Sequence, residues 1–221
     1  AAFAAERPRA GVALLTSLGG LLLWLAAVGM VLALGRWMAP LAAVLQDVGK
    51  VLAAGGLGAV LGCAIREPNI LAPAGVFAAF ADFVVVNFGT VHRALQTEKG
   101  QAMVAAVSAS VPSIHPRLTP LTIGPADFLF LGLFLMCAAR FGMGLRRNVV
   151  LLSVVLAASL LAVQADLVRA MPALAPMSVA FVAGNWRSFR LSRQELISTV
   201  LVILLAGGLF LGYFLFLFPR K

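Results

Sequence analysis

The sequence contains very little charge. Of its 221 residues only 11% are Asp, Glu, Lys or Arg, whereas 62% are hydrophobic, and the mean hydropathy is +1.03. This composition excludes a soluble globular domain. Acidic residues are the scarcest, eight against seventeen basic ones. Because the basic residues lie mostly between apolar runs, they mark the topology of a multi-pass protein in a lipid bilayer, not a surface for nucleic acid.

Residues that hold metals or cofactors are also few, since the sequence has two cysteines and two histidines. Cys63 and Cys137 lie within or at the end of apolar segments. Neither has a Cys-x-x-Cys partner or a histidine at ligand spacing, so we expect buried free thiols. His92 and His115 are isolated in a connecting segment. We therefore expect no metal site and no other cofactor.

Long apolar runs predict an all-α, polytopic transmembrane bundle of about seven spans. The first run has 24 uncharged residues, enough at about 1.5 Å per residue to cross a hydrocarbon core of about 30 Å. The sixth has only 14 residues and includes Pro172 and Pro176, which we expect to prevent a regular helix start. The runs are 11–34, 40–65, 70–91, 118–139, 148–165, 171–184 and 196–218.

The second run carries polar residues that need partners inside the membrane. Asp47 and Lys50 are three residues apart on one helical face, so we expect them to neutralise each other. The Gly58-x-x-x-Gly62 spacing predicts close packing against another helix. In the long connection that follows the third run, the mildly apolar stretch 102–111 is too short to span, and we expect it at the surface.

Asp82 and Asp127 lie in apolar runs without a basic neighbour in sequence. Asp82 is about 18 Å of helix from the start of its run, too far for its short side chain to reach the interface. If Gly124 caps a helix and Pro125 is its first residue, Asp127 falls in the first turn. A structural role is open for each aspartate: Asp127 as a helix cap, and Asp82 bonded to Asn87, a backbone carbonyl or a buried water.

The functional alternative is that the two carboxyl groups are paired. Two carboxylates a few ångströms apart cannot both ionise, so they share one proton. The protonated group can then polarise a carbonyl while the ionised group activates water. This is the chemistry of aspartic proteases.

Three short motifs surround these aspartates or follow them in the chain. They are Phe80-Ala81-Asp82-Phe83, Gly124-Pro125-Ala126-Asp127-Phe128 and Pro172-Ala173-Leu174. In kind and order they resemble the motifs of the presenilin and signal peptide peptidase family of intramembrane aspartyl proteases, the GxGD type. That family usually has Tyr where this chain has Ala81, and Gly where it has Ala126. Both carboxylates are kept, but a methyl group at 126 restricts close backbone approach.

The resemblance implies a presenilin-like core in which Asp82 and Asp127 are catalytic. It also implies that the protein hydrolyses peptide bonds within or near transmembrane segments, with membrane helices or signal peptides as substrates. The substrate-binding residues it implies are Gly124, Pro125, Ala126, Pro172, Ala173 and Leu174. The family fold has nine spans, more than the seven runs counted here.

The motifs and the basic residues suggest how the chain is organised. Residues 1–65 form a basic tail and two spans, 66–185 the presenilin-like core, and 186–221 a basic loop and a final span. With seven spans, and with Lys50 left out because it lies within a span, nine basic residues fall on the amino-terminal side and seven on the other. The positive-inside rule then places the amino terminus in the cytoplasm, which resembles signal peptide peptidase and not presenilin.

Two other functions stay open. Asp82 and Asp127 could bind protons or cations at the midplane of a transporter or channel, although the sequence shows no internal repeat of the kind found in many transporters. The departure at Ala126 also leaves room for a pseudoprotease that binds membrane helices without cutting them.

Overall fold

The computed structural model describes residues 10–88, 97–111, 121–165, 173–189, 192–194, 196–197, 200–201, 204–205 and 207–208. This part of the chain is mostly helical, which confirms the predicted class at its coarse level. Its elements, in chain order, are α1 (Ala10–Leu34), α2 (Ala39–Ala64), α3 (Leu71–Phe88), α4 (Glu98–Val107), β1 (Ala109–Val111), β2 (Leu121–Ile123), α5 (Pro125–Arg140), α6 (Leu145–Gln164) and α7 (Leu174–Gly184). Short 3-10 turns occur at Gly35–Met38, Pro68–Ile70 and Trp186–Ser188.

Helices α1, α2 and α6 are each long and apolar enough to cross a membrane. They carry large apolar side chains that are exposed, among them Leu15, Leu41 and Val154. Exposed apolar surface of this extent suits contact with lipid. The last predicted run, 196–218, lies largely outside the described residues.

Helix α2 packs against α1 on one face and against α5 on another, and glycine permits both close approaches. A Cβ atom at Gly58 would overlap the carbonyl oxygen of Leu129 in α5, and one at Gly62 would crowd the same helix. On the opposite side, a Cβ at Gly56 would lie 2.6 Å from the backbone nitrogen of Ser17 in α1. The close packing predicted from the Gly58-x-x-x-Gly62 spacing is confirmed.

The main core joins α3, α5, α6 and α7. Phe134 of α5 and Phe181 of α7 are buried and stack with 4.4 Å between their ring centroids. Leu71 of α3 and Leu152 of α6 are fully buried in the same cluster. These contacts hold together the helices that carry the three motifs.

One prediction about a helix start is confirmed and another is wrong. The run 118–139 breaks at Gly124-Pro125 as predicted: residues 121–123 form β2, and α5 begins at Pro125. Pro176 does not prevent a regular helix, since it is the third residue of α7. Backbone N–H groups in a first turn have no intrahelical acceptor, so a proline there loses nothing. Pro172 lies outside the described residues.

A small antiparallel sheet precedes α5, and the sequence analysis did not predict it. The stretch 102–111, expected at the surface, is divided between α4 and strand β1, and Ala109 of β1 is buried. The three residue pairs of the sheet are Ala109 with Ile123, Ser110 with Thr122, and Val111 with Leu121.

Candidate active site

The start of α5 has the predicted geometry. Gly124 is the N-cap with extended backbone (φ −67°, ψ 153°), Pro125 is the first helical residue, and Asp127 lies in the first turn. The Asp127 carboxylate accepts from the Gly124 backbone, as the third residue of a capping box does. The predicted role as a cap is therefore real, but it uses only part of the group. Asp127 Oδ1 is buried and has no hydrogen-bond partner in the part of the chain that the structure describes.

Asp82 is half-buried in α3, the helix that packs against α7. Its Oδ2 atom is buried and has no hydrogen-bond partner among the described residues. The side chain of Asn87, one partner considered for it, lies outside the described side chains. Asp82 is thus not fully satisfied by the neighbours that the structure describes.

The backbone N–H of Leu174 lies near both carboxyl groups. It is close enough to interact electrostatically with Asp82 and with Asp127. The carboxylates are also close enough to repel each other when both are charged. Leu174 is the first residue of α7, so its N–H has no intrahelical acceptor and points out of the helix start. One residue from each of three motifs therefore converges on this point.

The other predicted substrate-binding residues are placed in two ways. Pro125 and Ala126 are exposed in the first turn of α5. Ala173 and Leu174 are buried, and the Leu174 side chain, only 2% exposed, belongs to the main core. The contribution of Leu174 to the site is therefore its backbone N–H, while its side chain fixes where α7 begins.

Strand β2 leads directly into the site. It ends at Ile123, which is followed by the cap Gly124 and by Asp127 three residues later. Among the described residues β2 pairs only with β1. Three-residue strands give too short a pattern to be recognised in sequence, so only the Gly124-Pro125 break indicated that the chain changes conformation here.

The second charged pair is Asp47 and Lys50 of α2, and its prediction is confirmed. Lys50 Nζ lies 3.3 Å from Asp47 Oδ1. Lys50 Nζ also donates to the carbonyl oxygen of Ser108 at 2.8 Å, and the Ser110 hydroxyl donates to Asp47 Oδ2. No sequence pattern indicates these two serines, which connect the β1 segment to α2.

Metal ligands do not cluster in the described part of the chain. It contains no group of three or more His, Cys, Asp or Glu side chains that could hold a metal ion. Cys63 and Cys137 are free thiols as predicted, and Cys137 is buried. His92 and His115 lie outside the described residues.

Comparison with known proteins adds no relative. No family model matches the chain, and neither a curated protein nor a solved structure matches it. The resemblance to the presenilin and signal peptide peptidase family therefore rests on the three motifs.

Proposed function

We propose that this protein is an intramembrane aspartyl protease with Asp82 and Asp127 as its catalytic dyad. One observation carries the proposal: the two aspartates come from different helices and lie near each other and near the N–H of Leu174, and each has a buried oxygen without a partner among the described residues. A buried polar atom without a partner calls for a water, an ion or a ligand. A catalytic water between the two carboxyl groups fits that place.

The reaction follows from a dyad that shares one proton. The ionised carboxylate takes a proton from water, whose oxygen attacks the carbonyl carbon of the scissile peptide bond. The protonated carboxyl gives its proton to the carbonyl oxygen, and a tetrahedral diol forms. The carboxyl group that received the proton from water then gives it to the amide nitrogen, while a diol hydroxyl returns a proton to the other carboxylate. The C–N bond breaks to give a carboxylic acid and an amine. In this scheme the Leu174 N–H stabilises the ionised member of the dyad.

The substrate would be a transmembrane helix or a signal peptide that unwinds locally. In a helix the carbonyl groups are held in the i to i−4 hydrogen bonds, so a scissile bond must leave that ladder before water can attack it. The outer edge of β2 could pair with such an extended segment, as in strand addition. Because β2 ends at Ile123, the paired segment would run toward Asp127.

The proposed setting is a multi-pass membrane protein of about seven spans, with a presenilin-like core at 66–185. The amino terminus would lie in the cytoplasm and the connection 93–117 on the other side. Labelling of a cysteine introduced at Ser113 in intact cells tests this orientation. Reaction from the cytoplasmic face alone would reverse it.

The direct test uses the purified protein in micelles and a fluorescently labelled single-span peptide. Wild type should cleave the peptide, whereas Asp82→Asn and Asp127→Asn should not. Glu67→Gln is the matched control, because it makes the same carboxylate-to-amide change at an exposed turn and should cleave normally. Substantial cleavage by Asp82→Asn would contradict the dyad.

The same proteins separate the other two functions. A pseudoprotease would bind the peptide in wild type and in both variants without cutting it. A transporter would show proton or cation flux in vesicles that depends on Asp82 and Asp127, with no peptide product.

A further inference from the structure

Lys50 is a buried cation, 8% exposed, in the apolar helix α2. Its ammonium group is bonded to Asp47 at 3.3 Å and to the Ser108 carbonyl oxygen at 2.8 Å. Asp47 in turn accepts from the Ser110 hydroxyl. The pair therefore does more than neutralise itself, because both of its members hold the chain around strand β1.

The sheet depends on this attachment. It has three residue pairs, and an isolated two-stranded sheet is at best marginally stable. Its apolar support also comes from α2: buried Ala109 and Ile123 form a small cluster with Phe128, and Val51 and Ala54 pack against that cluster. Polar contacts from α2 thus hold the β1 segment, and apolar side chains of α2 support the cluster that includes Ile123 of β2.

The same helix fixes the start of α5. Asp47 and Lys50 of α2 bond to the β1 segment, and Val51 and Ala54 pack against the cluster that joins the sheet to Phe128. Gly55 and Gly58 follow on that side and approach α5, and a Cβ atom at Gly132 of α5 would overlap the Gly55 carbonyl oxygen. Helix α2 is therefore a common platform for the sheet, through β1, and for the helix that carries Asp127.

We propose that Asp47 and Lys50 are positioning residues that hold the β1–β2 sheet, and so the edge of β2, in register with Asp127. The inference rests on the proposed protease function and adds to it the device that sets where a substrate segment lies. Neither residue touches the reacting atoms. Without the pair, β2 should be held less firmly, KM should rise, and cleavage should occur at additional sites. The dyad itself should be unaffected, so kcat should change little.

The variant that tests this is the double substitution Asp47→Leu with Lys50→Met. Removing both members avoids leaving one buried charge unpaired, which alone could unfold the protein. Lys50→Arg keeps a cation with several donors, so strand protection and KM should stay close to those of wild type. The matched control is Ser17→Ala, which removes the 3.0 Å hydrogen bond from Ser17 to the Ala53 carbonyl on the α1 side of α2.

The first measurement is amide hydrogen exchange of the intact protein in micelles, which needs no catalysis. In the double variant, residues 109–111 and 121–123 should lose protection by about tenfold or more, since each hydrogen bond to a charged group shifts an equilibrium by about that factor. Peptides from α6 should not change, and neither should the sheet in Ser17→Ala. Unchanged protection of the two strands would overturn the inference.

The second measurement is cleavage of the labelled single-span peptide, with products identified by mass. We expect KM to rise about tenfold in the double variant, kcat to change much less, and additional cleavage sites to appear. If the strands lost protection while KM and the cleavage sites stayed unchanged, the pair would only stabilise the sheet. That result would overturn its positioning role. If wild type shows no cleavage that depends on Asp82, the proposed function fails, and the exchange data alone decide whether the pair holds the sheet.

Discussion

Two pairs of residues place charged groups in apolar helices of this protein, and their surroundings differ. The Asp47–Lys50 pair combines an anion with a cation, and the serines of the β1 segment supply further hydrogen bonds. Asp82 and Asp127 are close enough to repel each other, neither forms a salt bridge with a described residue, and each has a buried oxygen that no described residue bonds.

The difference shows that burial of a charged group in an apolar helix does not by itself mark a catalytic site. A buried ion pair with further hydrogen bonds has a sufficient structural explanation. Two carboxyl groups that repel each other and have open acceptors do not, because their arrangement costs free energy unless a bound water or ligand uses it. This difference is why we propose a positioning role for the first pair and a chemical role for the second.

The largest expected effect is loss of cleavage in the dyad variants. Asp82→Asn and Asp127→Asn should each lower kcat/KM by at least about 10³-fold, and the double variant should be no worse, because the residues act as a unit. Their unfolding midpoints should not fall, since each change replaces one ionisable group of a pair in which two negative charges would repel each other. Cleavage assays and denaturant titrations in micelles measure both quantities. Independent, multiplying losses in the double variant would contradict a shared-proton dyad.

Leu174 provides the next test, because it joins the dyad through a backbone group that most substitutions retain. Leu174→Val keeps the N–H and an apolar side chain, so its cost in stability should stay below about 1.5 kcal/mol and cleavage should persist. Leu174→Arg puts a cation into the core beside two carboxylates and should abolish cleavage. Activity and the unfolding midpoint should be measured on the same preparations.

A cross-link tests the position of Leu174 without relying on activity. Asp127→Cys and Leu174→Cys, on a background with Cys63→Ala and Cys137→Ala, should form a disulfide or react with a short bifunctional reagent, since a disulfide needs Cα atoms within about 7 Å. The control places the second cysteine at Val179, which is 66% exposed on α7, and should not react. If neither cysteine pair cross-linked, Leu174 would not lie beside Asp127 and would not belong to the site.

Local sequence signals predicted part of this site. Gly124 and Pro125 specify a helix start through backbone conformation alone, and Asp127 follows from counting residues into the first turn. Asp47 and Lys50 were recognisable because residues three apart share a helix face. Asp82 stood out because a short acidic side chain in an apolar run has no route to the interface.

Other contacts left no signal in the sequence because their partners are distant along the chain. The Arg140 guanidinium donates to the carbonyls of Gly62, Cys63 and Ile65 and so satisfies the end of α2. Buried Asn148 and Asn185 bond to each other between the start of α6 and the end of α7. In neither case are the bonded residues separated by a recurring number of residues in the sequence. The three-residue strands likewise give too few residues for an alternating pattern to be read.

The contrast between the two pairs predicts opposite effects on stability. Lys50→Met should lower the free energy of unfolding by about 3–5 kcal/mol, because it leaves the Asp47 carboxylate largely buried without its cation. Lys99→Met is the control, since Lys99 is exposed in α4 and its loss should change stability little. Denaturant titration in micelles gives both values. If Lys50→Met were as stable as wild type and Asp82→Asn were destabilised instead, the roles of the two pairs would be reversed.

The smallest expected effect is at Ala126, where the chain departs from the family motif beside Asp127. Its side chain is exposed in the first turn of α5, so removing the methyl group should leave no cavity in the core. Ala126→Gly should cost at most about 1 kcal/mol of stability. It should raise kcat/KM by a few-fold, because glycine allows a substrate backbone to approach more closely. Ala139→Gly removes the same group near the other end of α5 and should give no gain in cleavage. A fall in kcat/KM for Ala126→Gly that exceeds the fall for Ala139→Gly would show that the methyl group supports the dyad instead of restricting access to it.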